Sequence, residues 1–102
     1  MVKIIDKADK LIISIEGELD SLNAEEVFNE IEQALKSNDN DLILDFEKLE
    51  YISSAGLQVV LMCAKDRNSK NRKVYIYKPQ SSVDEIINIA GFYNFIEKID
   101  EV

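Results

Sequence analysis

The stretch Leu42-Ile43-Leu44-Asp45-Phe46-Glu47-Lys48-Leu49-Glu50-Tyr51-Ile52-Ser53-Ser54-Ala55-Gly56-Leu57 decides how this chain folds. Its first five residues lack the alternation of a strand with one wet face, so they predict a strand covered on both faces. Glu47 to Ile52 is a connection into Ser53-Ser54-Ala55-Gly56, where a helix begins. Leu57, Val60, Leu61 and Ala64 then recur at helical spacing, and Val59, Met62 and Cys63 widen the stripe. Most of the circumference of this helix is therefore expected to be buried, before it decays into the polar run Lys65 to Lys73.

Upstream, Val2 to Ile5 and Leu11 to Ile15 are rich in β-branched residues and are separated by Lys7-Ala8-Asp9-Lys10. This predicts an amino-terminal hairpin. Gly17-Glu18-Leu19-Asp20 ends the second strand and turns the chain. Asn23 is the expected N-cap of a first helix, Glu26 completes a capping box, and Leu22 with Val27 forms a hydrophobic staple. Ala24, Val27, Phe28, Ile31 and Leu35 mark its apolar face, and Ser37-Asn38-Asp39-Asn40 its end.

Downstream, Val74-Tyr75-Ile76-Tyr77 predicts a strand stopped by Pro79, with both tyrosines on one face as packing residues. Ser82 and Glu85 form a second capping box for a third helix carrying Val83, Ile86, Ile87 and Ala90. Gly91 takes the left-handed position after it. Phe95 to Ile99 is a weaker strand or tail. Strands alternating with amphipathic helices imply parallel neighbours joined by right-handed crossovers. The fold class is thus α/β: an open mixed sheet of about four to five strands with an amino-terminal hairpin, flanked by three or more helices. Residues 1–102 form a single domain, a common size for one core.

Composition narrows the function. Twelve Lys and Arg against twenty Asp and Glu give a net charge of −8. That balance argues against nucleic acid, whose phosphates need a basic surface, and against an anionic membrane. There is no histidine and only one cysteine, Cys63. A Ser-His-Asp triad, an internal disulfide and a Cys/His zinc site are all excluded. The three glycines, Gly17, Gly56 and Gly91, are too scattered for a phosphate-cradling loop. Carboxylate pairs such as Glu25-Glu26 complement a helix dipole. Cys63 lies within an apolar stripe and is expected to be an inert small hydrophobe despite nearby Lys65 and Arg67. No cofactor, metal or catalytic residue is expected, nor any membrane span or signal peptide, which places the protein in the cytoplasm.

The serine pair is the one feature that core formation does not absorb. Ser54 is a natural N-cap for the second helix, its oxygen accepting from the amide of Gly56 or Leu57. A hydroxyl at that place also projects among amides that lack intrahelical partners. A phosphoryl group there adds a charge of about −1.5 to −2, which a helix amino terminus tolerates.

Gly17-Glu18-Leu19-Asp20, Asp45-Phe46 and Tyr51-Ile52-Ser53-Ser54-Ala55-Gly56-Leu57 together resemble the signatures of STAS domains. The length and the Gly-Glu-Leu-Asp element are similar to stand-alone bacterial anti-sigma factor antagonists. The resemblance implies a switch by partner exchange: binding to an anti-sigma factor that is itself a serine kinase, release on phosphorylation, and resetting by a serine phosphatase. By position it makes Ser54 the phosphoacceptor, and Asp20, Ser53, Ala55, Gly56 and Leu57 the docking surface. Phosphorylated members often carry an acidic residue where this chain has Ser53, and a hydroxyl where it has Ala55. Ser53 is therefore the alternate acceptor. The competing expectation is a non-phosphorylated STAS subunit of an ABC-type lipid transporter or other larger assembly. A weak homodimer is compatible with either.

Overall fold

A computed structural model describes residues 1–102. Strands β1 (Val2–Asp6) and β2 (Lys10–Ile15) form the expected hairpin, paired antiparallel from Val2 opposite Ile15 to Asp6 opposite Leu11. Strand β3 (Gly17–Leu19) follows after Glu16, then helix α1 (Ala24–Lys36), β4 (Asp41–Asp45), β5 (Leu49–Ile52) and helix α2 (Ser54–Ser69). The chain closes with β6 (Val74–Tyr77), α3 (Ser81–Ile89), a single 3₁₀ turn over Phe92–Asn94, and β7 (Glu97–Ile99). The main sheet has five strands in the order β1-β2-β4-β6-β7, parallel beyond the hairpin.

That order runs in one direction from β2 to β7. Right-handed crossovers that all step the same way place every connecting helix on the same face of the sheet. The core follows from this. A cluster of 22 buried residues joins Leu11, Ile13, Leu42, Leu44, Val74 and Ile76 of the sheet to Val27, Ile31 and Leu35 of α1, Val60 and Cys63 of α2, and Val83 and Ile87 of α3. Ile12 and Ile43 are buried yet lie outside that cluster. Alternation along the strands points them to the opposite face, beside Ile5 and Tyr75 in the same register row. The expectation of a strand covered on both faces is thus half right. Helices cover Leu42 and Leu44, whereas Ile43 is shielded by its neighbours within the sheet.

Three local expectations change. Glu47 to Ile52 is more than a connection: Leu49–Ile52 pairs parallel with Gly17–Leu19 as a separate two-stranded ribbon. The first helix does start after Asn23, but the Asn23 side chain makes no cap bond, and Leu22 is 94% exposed, so neither the capping box nor the staple with Val27 forms. The third helix starts two residues early, at Ser81 after Gln80 and without a side-chain cap, leaving Ser82 inside its first turn. Gly91 does adopt the left-handed backbone, with φ of 82°.

The second helix is longer than its apolar pattern, and its buried face is rotated from the expected one. Gly56, Val59, Val60, Cys63 and Arg67 are buried, whereas Met62 is exposed. Gly56, Val60, Cys63 and Arg67 are spaced by four, three and four residues, one continuous stripe. Arg67 completes that stripe with a charged residue that is 0% exposed. Its guanidinium satisfies carbonyls in the last turn of α1 and in the turn that follows it: Nη1 donates to Asn40 O at 2.7 Å, and Nη2 to Leu35 O and Asn38 O at 2.8 Å. Nε and Nη2 also donate to Asp66 Oδ2 at 3.0 and 2.8 Å. Lys70 Nζ adds a bond to Leu35 O at 3.0 Å.

Candidate functional site at the start of the second helix

The ribbon of β3 and β5 sets the geometry of the site. Ser53 N donates to Leu19 O at 2.9 Å, which docks the end of β3 against the start of α2. The approach is so close that Gly56 has no room for a side chain. A Cβ there would lie 2.7 Å from both Leu19 O and Ile52 Cγ1. Gly56 is buried, so its part in the expected docking surface is to permit this contact rather than to face a partner. Ala55 and Leu57 are half-buried and pack against the core.

The two serines divide their roles in a way that reverses the sequence-based expectation. Ser53, not Ser54, is the N-cap: its backbone is extended (φ −98°, ψ 179°) and its Oγ accepts from Gly56 N at 3.3 Å. Ser54 is the first helical residue. Its side chain is exposed, and its hydroxyl has no hydrogen-bond partner in the protein. Around it lie the amides of the first helical turn, with no acidic residue in that turn to compete for them.

The loop from β3 to α1 forms the neighbouring rim. Asp20 Oδ1 accepts from Leu22 N at 2.9 Å and from Asn23 N at 3.3 Å. Asn23 Oδ1 accepts from Asp20 N at 2.9 Å, and Asn23 Nδ2 donates to Glu18 O at 2.8 Å. Asn23 is spent on fixing this loop, which is why it does not cap α1. The result is a rigid loop that holds Leu22 out into solvent. Leu22 lies three residues beyond Leu19, and so at most about 11 Å in Cα separation from the contact with α2. Sequence reasoning missed Leu22 because Leu-Asn before a helix also fits a staple. The bonding of Asp20 and Asn23 to each other is visible only in three dimensions.

The charge is segregated. Residues 16–35 contain seven carboxylates and no Lys or Arg, whereas six of the twelve cations fall between Lys65 and Lys78. The β3–α1 segment is therefore an acidic region, and the far end of α2 a basic one. Nothing at the start of α2 supplies a catalytic nucleophile with a base. Cys63 is remote from it, buried, and pushed up to about 12 by desolvation, with Asp66 adding to the rise. The thiol is thus protonated at neutral pH, as expected of an inert hydrophobe. No three Asp, Glu or Cys side chains converge to hold a metal, and no helix is long and apolar enough to cross a membrane.

This arrangement of an open α/β sheet with a serine-led helix docked on a small parallel ribbon matches the STAS domain family over residues 1–102, and the chain belongs to that family. It is 34% identical over 89 residues to BtrV of Bordetella bronchiseptica, named as an anti-sigma factor antagonist, covering 86% of this chain and 77% of that protein. Among solved structures, a protein of Thermotoga maritima of the same designation superposes with a TM-score of 0.90 at 17% identity, covering 99% of this chain and 87% of that one. Bacillus SpoIIAA superposes in its unphosphorylated form with a TM-score of 0.83 (19% identity, 99% of this chain and 90% of that one) and in its phosphorylated form with 0.75 (18% identity, 99% and 93%).

Proposed function

We propose that the protein is a cytoplasmic anti-sigma factor antagonist, a binding module whose docking surface is the β3–α1 loop together with the start of α2. We further propose that it is switched by phosphorylation of Ser54. The observation that carries this reading is the division of labour between the serines. Ser53 satisfies the helix end, so Ser54 keeps an exposed hydroxyl with no structural task. The relationship to BtrV supports the antagonist role, and the phosphorylated form of SpoIIAA supports the modification.

The partner is an anti-sigma factor that is also a serine kinase. In the transfer, Ser54 Oγ forms a bond to the γ-phosphorus of ATP held by the kinase, the bond from that phosphorus to the bridging oxygen breaks, and ADP leaves. The hydroxyl proton passes to a base on the kinase. The phosphoserine fits the helix amino terminus, so the domain stays folded while its surface changes. Within a docked interface the dianion is desolvated against partner groups arranged for a neutral hydroxyl. A few kcal/mol suffices for release, since each 1.4 kcal/mol is about tenfold in affinity. A serine phosphatase restores the binding form.

The test uses a serine kinase recovered with the chain by affinity pull-down, with intact-mass and peptide mass spectrometry. Phosphate is expected on Ser54 and absent in Ser54→Ala, which still binds. Ser54→Glu is expected to bind at least about tenfold more weakly, and Leu22→Ala about tenfold more weakly at unchanged stability. Phosphate persisting in Ser54→Ala assigns the acceptor elsewhere, with Ser53 the first alternative. The departures at Ser53 and Ala55 favour one second reading, a constitutive STAS subunit of an ABC-type lipid transporter. It is distinguished by co-purification with a transporter ATPase and recovery of the chain without phosphoserine.

A further inference from the structure

A cleft lies at the opposite end of α2 from Ser54. It has a volume of about 720 Å³ and runs between the carboxyl-terminal half of α2, the start of β6 and the segment from the 3₁₀ turn into β7. Ala64 on its wall is ten helical residues from Ser54, a separation of roughly 15 Å along the axis. The cleft is therefore independent of the proposed docking surface.

Two observations concern its lining. One is charge: Lys65, Arg72 and Lys73 border the cleft, and Glu97 is the only carboxylate that does. None of the three cations takes part in an ion pair, whereas Arg67, Lys70 and Lys98 nearby are all paired. In a chain of net charge −8, three uncommitted cations around one concavity form a local positive site. The other is apolar surface. Leu61 and Val74 form part of the wall, and Phe95 stands beside them, 55% exposed, although its ring packs against Phe92 at 5.3 Å between centroids. The Tyr93 ring is held in place because its hydroxyl donates to Asp84 Oδ1 at 2.6 Å. A rigid aromatic wall with exposed apolar area, faced by free cations, suits a ligand with one anionic group on an apolar body. The volume matches that of small-ligand sites, which run from about 300 to 1,000 Å³.

We propose that this cleft binds a small amphipathic anion, a carboxylate or phosphate carried on an acyl chain or an aromatic ring. The cations hold the anionic group, and Leu61, Val74 and Phe95 cover the body. The proposal stands apart from the antagonist reading, because it uses none of the residues around Ser54.

The experiment is a titration of the ¹⁵N-labelled full chain, followed by amide chemical shifts, with decanoate, phenyl phosphate and inorganic phosphate as separate probes. Shifts confined to residues 61–75 and 92–97 are expected with decanoate, phenyl phosphate or both. Inorganic phosphate is expected to bind at least about tenfold more weakly than the better of them. Decanoate alone assigns an acyl chain, and phenyl phosphate alone an aromatic ring. The double variant Lys65→Glu/Arg72→Glu changes exposed residues only and should keep the parent spectrum elsewhere, while affinity falls about tenfold or more. Three results overturn the proposal: no localised shifts with any probe up to about 5 mM, phosphate binding as well as the organic anions, or equal affinity in the charge-reversed variant.

Discussion

The two ends of α2 are built in opposite ways. At its carboxyl-terminal end, Arg67 is fully buried and makes five hydrogen bonds, three of them to carbonyls at the end of α1 and in the turn after it. At its amino-terminal end, Ser54 is exposed and its hydroxyl has no partner in the protein, and only the Ser53 side chain is committed. One helix therefore carries a locked end and a free one. The locked end anchors α2 to α1 and fixes where the other end points. The free end keeps a hydroxyl that the fold does not use. A polar group can be reassigned between partners only where the folded chain has not already claimed it.

The largest expected effect comes from unlocking the far end. Arg67→Ala leaves the carbonyls of Asn38 and Asn40 without the Arg67 donor and Leu35 O with Lys70 alone, and opens a void the size of a guanidinium. Removing one member of a buried, hydrogen-bonded charge set costs about 3–5 kcal/mol. Arg67→Lys, with one ammonium in place of a planar fork, should recover part of this because Nζ can reach only some of the acceptors. Urea unfolding of the two variants measures both. A loss of under about 1 kcal/mol for Arg67→Ala would mean the two ends are not different in kind.

The next effect acts on the joint that places the free end. Gly56→Ala sets a methyl group 2.7 Å from the carbonyl oxygen of Leu19, a backbone atom that cannot swing aside. The ribbon and the helix must separate by some tenths of an ångström, at a cost of about 1–3 kcal/mol. Partner affinity should fall along with stability, because the β3–α1 loop and Ser54 no longer share one frame. A variant that unfolds normally but binds poorly would locate the damage in docking geometry alone.

Much of this frame is legible in the sequence, and the gaps have a common cause. The hairpin, the two central strands β4 and β6 and the three helices follow from periodicity, because burying one face imposes a spacing that composition can carry, whereas the short, exposed β7 reads only as a weaker strand or tail. The ribbon does not. Gly17 to Leu19 is three residues long, and Glu18, Glu50 and Tyr51 are exposed, so neither partner shows an apolar repeat. Its pairing is fixed by tertiary contact with α2. Arg67 is invisible for a related reason: a charge on a core stripe looks like the end of the stripe unless its acceptors, 27 to 32 residues away in sequence, are known to converge on it. The caps fail differently. Asn23 and Ser82 are good cap residues by type, but competing side-chain bonds or a two-residue shift of the helix start decide which residue serves. A one-residue shift likewise moved the cap from Ser54 to Ser53, and so left the Ser54 hydroxyl without a protein partner.

That exchange of roles supports the finest of the comparisons, between two adjacent residues of identical chemistry. Ser53→Ala removes the acceptor for Gly56 N and should destabilise the domain by about 1 kcal/mol. Ser54→Ala removes a hydroxyl with no protein partner at a helical position where alanine is well tolerated, so the change should stay within about 0.5 kcal/mol. In phosphate incorporation by the kinase the order is inverted: Ser53→Ala retains it and Ser54→Ala loses it. Stability and modification are then controlled by neighbouring hydroxyls that differ only in whether the helix end has claimed them. If Ser54→Ala is the costly variant and Ser53→Ala the neutral one, the cap sits on Ser54, its oxygen is not free, and the acceptor role passes to Ser53.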